Sequence, residues 1–314
     1  MPLGSQPLMP VDSRPVLIVI TGPTGSGKTS LAIELARHLG CDIISADSRQ
    51  IYRGLPIGTA APTPGQLAAL RHPFVHMLPL DGYYSAAQYE SDVMALLPEL
   101  WQHNHYAVMC GGSMMYVDAV TRGIDELPTI SPEIRERVSR DFGERGIEWL
   151  RKELQTLDPR YYDIVDKNNH KRMVHALEIC LQAGAPYSTL RTGAVKERPF
   201  DVLKVALDYP REQLFDRINS RVDAMVADGL EDEARSVYHL RHLNSLNTVG
   251  YKEMFQYFDG TMDRHTAIER IKKNTRVYAK KQLTWLKRDT SVRYLDPDTA
   301  FCSILDLIDA IESR

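Results

Sequence analysis

An unbroken apolar run, PVLIVI at 15–20, leads directly into GPTGSGKT at 22–29, and this pairing constrains the fold more than any other stretch of the chain. A strand that is apolar at every position must be covered on both faces, which is the situation of a parallel strand flanked by helices. The loop after it fits G-x-x-x-x-G-K-[ST], in the strand-to-helix setting that the pattern requires. Gly22, Gly25 and Gly27, with Pro23, Thr24 and Ser26 between them, let the backbone curl so that its N–H groups face a phosphate. Lys28 adds a cation, the Thr29 hydroxyl can hold Mg²⁺, and the following helix adds its N-terminal dipole. The loop specifies a di- or triphosphate. Its usual occupant is a nucleotide such as ATP, but the pattern alone does not require one.

The rest of the chain extends that unit. TSLAIELARHL (29–39) is a helix pattern closed by Gly40, CDIISADS (41–48) a second strand, 85–103 a helix despite Pro98, and YAVMCGGS (106–113) a third strand. The β-α-β order predicts a doubly wound parallel sheet with ligands at the strand C-termini. After about residue 121 strand signals stop. Ser131-Pro132-Glu133 starts a helix, and 168–184 is a strong helix ended by Gly184. VLKVALDY (202–209) reads as a returning strand, the chain is helical again from 211, and SVRYLD (291–296) offers one more strand. The fold class is therefore α/β, with a P-loop NTPase-like parallel sheet core and helices on both faces. Residues 1–121 and 201–314 form that core, and 122–200 a mainly helical insertion.

Three further features bear on chemistry. Asp47 closes the second strand on the ligand side, as a general base or as the cap of the next turn. GGSMMY (111–116) closes the third strand, where Ser113 either contacts a ligand or caps the turn. That strand lacks the acid that ends the equivalent strand in ATPases. The third feature is a helix at 266–288. Between Arg264 and Arg288 the chain places nine Lys or Arg residues, with Glu269 the one opposing acid, and Lys273, Arg276, Lys280 and Lys287 recur at helical spacing. In a chain of net charge −3 this is a concentrated basic surface, either a solvated face or a rail for a nucleic-acid backbone. His170, Lys171, Arg172 and His175 make a second cluster. The four cysteines are far apart, which reads as reduced thiols in a cytoplasmic protein. VLIVI is too short to span a membrane, and the first fifteen residues lack the pattern of a signal peptide.

From about residue 15 to 289 the sequence resembles the tRNA isopentenyltransferase (tRNA dimethylallyltransferase) family. The likeness rests on GPTGSGKT (22–29), ISADSRQIY (44–52), IGTAAP (57–62), YSAAQY (84–89), GGSMMY (111–116), KRMVHALEI (171–179), RINSRVDAMVADGL (217–230), NTVGYKE (247–253) and YAKKQLTW (278–285), in the family's order. The resemblance implies that the loop holds the diphosphate of dimethylallyl diphosphate, not ATP. The exocyclic amine of the adenosine 3′ to the anticodon, in tRNAs reading codons that begin with U, would attack the dimethylallyl group and release diphosphate. It also implies Asp47 as the general base or hydrogen-bond acceptor for the amine, Ser113 on the diphosphate or the target adenosine, Arg217 on the diphosphate, and Mg²⁺ at Thr29.

Contact with the tRNA anticodon stem-loop falls, by the same likeness, to several stretches. They are Asp47, Ser48, Arg49 and Gln50; Ser113; Arg135; Lys171, Arg172, Met173, Val174 and His175; and Asn247, Thr248, Val249, Gly250, Tyr251 and Lys252. Lys273, Arg276 and Lys280 join them from the basic helix. A flipped adenosine and a monomeric enzyme are expected. The chain departs from the family at Ala61, where Lys is common, and at Lys167-Asn168-Asn169 and His175. The competing readings are an adenylate isopentenyltransferase, a P-loop small-molecule kinase and an RNA-binding module.

Overall fold

The computed structural model describes residues 14–313, so nearly all of the opening segment read above for a signal peptide lies outside the described residues. The described chain divides into two compact units, one running through Thr121 and resuming at Glu197, the other spanning Arg122–Lys196.

The first unit opens with β1 (Val16–Thr21), α1 (Lys28–Leu39), β2 (Ile43–Ser45), α2 (Pro64–Ala69), α3 (Ala86–Trp101), β3 (Tyr106–Gly111) and α4 (Met114–Arg122). The second unit holds α5 (Pro132–Leu157), α6 (Pro159–Ile164), α7 (His170–Ala183) and α8 (Tyr187–Leu190). The first unit then resumes with β4 (Asp201–Leu207), α9 (Arg211–Ala227), α10 (Leu230–Ser236), α11 (Tyr251–Phe258), α12 (Arg264–Leu286), β5 (Arg293–Leu295) and α13 (Ala300–Glu312). The sheet order is β2-β3-β1-β4-β5, and every pairing is parallel.

The apolar run at 16–20 is explained by its central place. Val16, Ile18 and Ile20 pack with α1 and α13, while Leu17 and Val19 pack on the other face with α3 and α4. Period-2 alternation sends each set to a different layer, and all six β1 residues are buried. Each such side chain contributes about 1.5–3 kcal/mol relative to exposure. On the second face Tyr89 and Tyr116 stack at 4.1 Å, and the Tyr89 hydroxyl donates to the Ser45 carbonyl (2.9 Å) at the end of β2. A third cluster joins α9–α12 to Ile51, Tyr52 and Leu55.

Two boundaries differ from the sequence reading. β2 is three residues, not eight: the bond from Ala46 N–H to Cys110 O is its last ladder bond to β3, and the Asp47 carboxylate then accepts from the Arg49 N–H and turns the chain. The helical unit stops at Lys196. Arg198 pairs with Glu90 (2.5 Å, both 8% exposed) and Phe200 packs on Trp101, which draws residues 197–200 into the sheet unit. In β4, the buried Lys204 donates to Asp289 at 2.7 Å. Burial opposes ionisation of Asp289, but the hydrogen bonds from Lys204 and Ser291 outweigh it and hold the carboxyl at about 2.

The helical unit has its own core, with Val138, Leu150, Leu154, Met173 and Leu177 at its centre. α5 is broken at Gly146, whose φ of 72° and ψ of −169° suit glycine. Asp158 is fully buried. Its carboxylate accepts from the Tyr161 N–H (2.9 Å), the Ser188 N–H (2.6 Å) and the Ser188 hydroxyl (2.7 Å), so it caps α6 and ties it to α8. Among the described residues no helix is long and apolar enough to cross a membrane.

Candidate active site

The C-terminal ends of β1, β2 and β3 meet α9 and α12 around a cavity of ≈ 360 Å³. The loop after β1 forms as the motif requires. Gly25 and Gly27 take left-handed φ of 83° and 87°, and a Cβ on Gly25 would stand 2.8 Å from Ile218 Cγ1. Thr24, Lys28 and Thr29 line the cavity. Gly22, Pro23, Gly25, Ser26 and Gly27 supply the turn behind them, and Pro23 O accepts from Lys28 Nζ at 3.3 Å. Burial lowers the Lys28 pKa, and the nearby Asp47 carboxylate opposes that shift.

Asp47 is the turn cap that the sequence allowed, and it faces the cavity as well. Its Oδ1 accepts from the N–H groups of Arg49 (2.8 Å) and Gln50 (3.3 Å), which caps the turn and fixes the carboxylate. The same side chain lines the cavity, where its charge acts on Lys28, Arg221 and Tyr278. Ser48 and Arg49 also line it. Arg49 is moored by hydrogen bonds to Asn244 O and Ser245 O, and Gln50 Nε2 holds Thr59 O and Ala60 O.

Several expected residues sit elsewhere. Ser113 does not line the cavity; its Oγ accepts from Ser48 N–H (2.8 Å), so the hydroxyl holds the acidic loop in place. Arg217 is also off the lining. Its Nε donates to Gly25 O (2.9 Å) and its guanidinium lies 4.8 Å from the Tyr209 ring, so it braces the phosphate loop through its backbone. Asn247, Thr248, Val249, Gly250 and Lys252 line the cavity, but Tyr251 is fully buried. Its hydroxyl donates to Glu233 (2.5 Å), which also accepts from Ile57 and Gly58 N–H. That makes Tyr251 a brace for the 57–58 turn and not a surface contact.

On α12, Lys273 and Lys280 are exposed, whereas Arg276 is half-buried and donates to Asn219 of α9 (2.5 Å). Asp223, also on α9, pairs with Lys272 at 2.8 Å, so the basic face has an acidic partner from another helix. In the helical unit Lys171, Arg172 and His175 are exposed, Val174 is half-buried and Met173 is in the core. Desolvation and the neighbouring Arg135 cation lower the His175 pKa, so the fold does bring Arg135 beside that cluster.

Polar lining residues that the sequence reading missed include Ser45, Thr59, His72 and four from α9 and α12. Arg221, one turn beyond Arg217, faces the cavity; burial lowers its pKa and Asp47 opposes the shift. Thr275, Tyr278 and Gln282 come from the inner face of the basic helix. The i+4 step from Arg217 was the available signal for Arg221. One end of the cavity is apolar, formed by Val222, Met225, Leu230, Val249 and Ile271. Burial pushes the Cys110 thiol up to about 11, against the pull of Lys28 and Thr29, so it stays protonated at neutral pH.

A cavity with two enclosed cations, one fixed carboxylate and an apolar end suits a substrate that is anionic at one end and hydrocarbon at the other. The oxygen donors that could hold Mg²⁺ are the Thr29 hydroxyl and the Asp47 carboxylate, both on the cavity lining, and no cluster of three His, Cys, Asp or Glu exists among the described residues. That set fits Mg²⁺, which keeps water and phosphate oxygens as most of its ligands.

Residues 50–289 match the family described as IPP transferase. The chain is 54% identical over 282 residues to a Phocaeicola vulgatus protein named tRNA dimethylallyltransferase 1, covering 90% of this chain and 94% of that one. It is 53% identical, with the same coverage, to a Parabacteroides distasonis protein named tRNA dimethylallyltransferase 2. The solved tRNA isopentenylpyrophosphate transferase of Bacillus halodurans superposes with a TM-score of 0.69 at 32% identity, over 94% of this chain and 96% of that one. A eukaryotic dimethylallyltransferase solved acting on tRNA gives a TM-score of 0.76 at 22% identity, over 90% and 74%, a likeness of fold.

Proposed function

The chain belongs to the IPP transferase family, and on that premise we propose that it transfers a dimethylallyl group from dimethylallyl diphosphate to tRNA. The acceptor is the exocyclic amine of the adenosine 3′ to the anticodon, in tRNAs that read codons beginning with U. The observation that carries this reading is the meeting of Asp47, Lys28 and Arg221 in a cavity with an apolar end. The diphosphate lies at Lys28 and the loop amides, and the hydrocarbon points towards Val222, Met225 and Ile271.

The amine nitrogen forms a bond to the first carbon of the dimethylallyl group as the bond from that carbon to oxygen breaks. The electron pair leaves with the diphosphate, and the amine proton passes to Asp47 Oδ2, since Oδ1 is held by the turn amides. Lys28 and Arg221 oppose the charge that grows on the leaving group. Mg²⁺ held by Thr29 and the diphosphate would add Lewis-acid stabilisation of that same charge. The protonated Cys110 is a poor nucleophile and does not compete for the donor. No water needs activating, so the missing acid at the end of β3 is no defect. For tRNA contact the sheet unit offers Lys273 and Lys280 on α12, and the helical unit, taken by itself, offers Arg135, Lys171 and Arg172. The enzyme works as a monomer in the cytoplasm, with free thiols at Cys41, Cys110, Cys180 and Cys302.

One incubation tests the reading. Radiolabelled dimethylallyl diphosphate and Mg²⁺ are mixed with the protein and unmodified tRNA, AMP or no acceptor. Label at the adenosine after the anticodon is the expected result. Label in AMP alone would move the protein to the free-nucleotide class, and ATP consumption without transfer would make it a kinase.

A further inference from the structure

Gln282 is 2% exposed on α12 and spends both ends of its amide on backbone from two different loops. Its Oε1 accepts from Thr24 N–H in the phosphate loop (2.9 Å), and its Nε2 donates to Gly112 O after β3 (2.9 Å). The fit is tight, since a Cβ on Gly112 would stand 2.4 Å from Gln282 Nε2. The contacts continue towards Asp47. A Cβ on Gly111 would meet Ala46 O at 2.1 Å, Ser113 N–H donates to Ala46 O (3.1 Å), and Ser113 Oγ accepts from Ser48 N–H (2.8 Å). One unbroken chain of contacts thus runs from the loop that holds the leaving group to the two residues that flank the base.

We propose that Gln282 is a positioning residue that fixes the phosphate loop in register with the Asp47 loop, so that the donor carbon is presented in line with the acceptor amine. The inference rests on the alkyl-transfer reading above. A primary amide is suited to the task because it accepts and donates at once without charge. Glu would set an anion beside the diphosphate, and Lys would offer Thr24 no acceptor. Displacement at carbon is sensitive to such register, with about 1 Å of misplacement costing roughly 100-fold. Without Gln282 the Thr24 N–H is left to seek the diphosphate itself. Donor binding is then kept while alignment is lost.

The test compares the full-length wild-type protein with Gln282→Met and Gln282→Glu. Three quantities are read: kcat and KM for dimethylallyl diphosphate at saturating tRNA, the Kd for dimethylallyl diphosphate without tRNA, and the melting temperature. For Gln282→Met the expected result is a kcat lowered roughly 10- to 100-fold with a donor Kd within about threefold of wild type. A kcat within about twofold of wild type overturns the inference, and so does a loss confined to donor affinity. If Gln282→Met does not fold, Gln282→Glu is read at saturating donor, where the cost of its anion to donor affinity drops out: a kcat lowered roughly 10-fold or more supports the inference, and one within about twofold of wild type overturns it. Wild-type protein that transfers nothing to tRNA removes the alkyl-transfer reading and this inference with it. Active wild type with an unimpaired Gln282 variant removes the inference alone.

Discussion

The sheet unit buries Glu90, Lys204, Glu253 and Gln282 and lines a cavity with Lys28, Asp47 and Arg221, whereas the helical unit, among the described residues, buries one polar side chain, Asp158. In the helical unit that carboxylate is met by three donors, and Lys171, Arg172 and His175 lie on the surface. The sheet unit keeps charge under low dielectric, where each cation is worth most against a developing anion. Asp158 apart, the helical unit leaves its charge in solvent, where charge acts over long range and is screened by salt. Substitutions in the first should therefore change turnover, and substitutions in the second should change affinity and its dependence on salt.

Asp47→Ala should break the comparison most severely if the roles are wrong. Turnover is expected to fall by roughly 10²-fold or more, with tRNA affinity nearly intact by filter binding. A variant with near-normal turnover would remove Asp47 from the chemistry.

The next effect is on stability. Asp289 has its carboxyl depressed in the fold to about 2, so its contribution is present above its unfolded pKa and is lost as pH falls through the folded one. Acid unfolding between about pH 4 and pH 2 should remove about 2 kcal/mol of wild-type stability, and Asp289→Asn should flatten that part of the curve. Identical acid limbs for the two proteins would show that the Lys204 pair contributes nothing there.

A smaller effect is expected in the helical unit. Asp158→Ala strips the α6 cap and should cost about 1–2 kcal/mol, seen as earlier protease cleavage within 122–196. Binding of dimethylallyl diphosphate should not change, and weakened donor binding would mean that the two units are not energetically separate. The mildest change is Lys171→Ala with Arg172→Ala. Both residues are exposed, so melting should hold, while the slope of log affinity for tRNA against log salt should shrink by about 1 to 2. An unchanged slope would leave that cluster as a solvated face.

What could be read from the sequence was local. The apolar run at 16–20, the glycines of the phosphate loop and the Ser131-Pro132 helix start each act through their own few residues, and each forms the element it announces. What was hidden depends on which way a helix faces. Arg217 and Arg221 lie on the same helix, yet only Arg221 reaches the cavity, because α9 turns Arg217 onto the Gly25 carbonyl. The basic helix was visible as charge. Its inner stripe of Thr275, Tyr278 and Gln282 was not, since nothing in the charge pattern says what lies behind it. The stretch 247–252 reads in the sequence as one contact surface, but the start of α11 sends Tyr251 inward while its neighbours line the cavity. Asp223 escaped notice as the partner of Lys272 because the two are brought together by packing between helices.

The two ends of the helical unit are joined by a hydrogen bond from Lys196 N–H to Arg122 O at 2.8 Å, with the Lys196 side chain filling the space beside Gly123. For the folding chain this is a matter of loop entropy. Returning the chain from α4 to the sheet as β4 across about 75 unstructured residues would cost roughly 4 kcal/mol of closure entropy. The helical unit is built from contacts close in sequence, and such units form quickly. Once it has formed, its ends are pinned together, and β4 follows α4 as though only a short turn lay between them. The insertion then acts as a clasp on the sheet it interrupts.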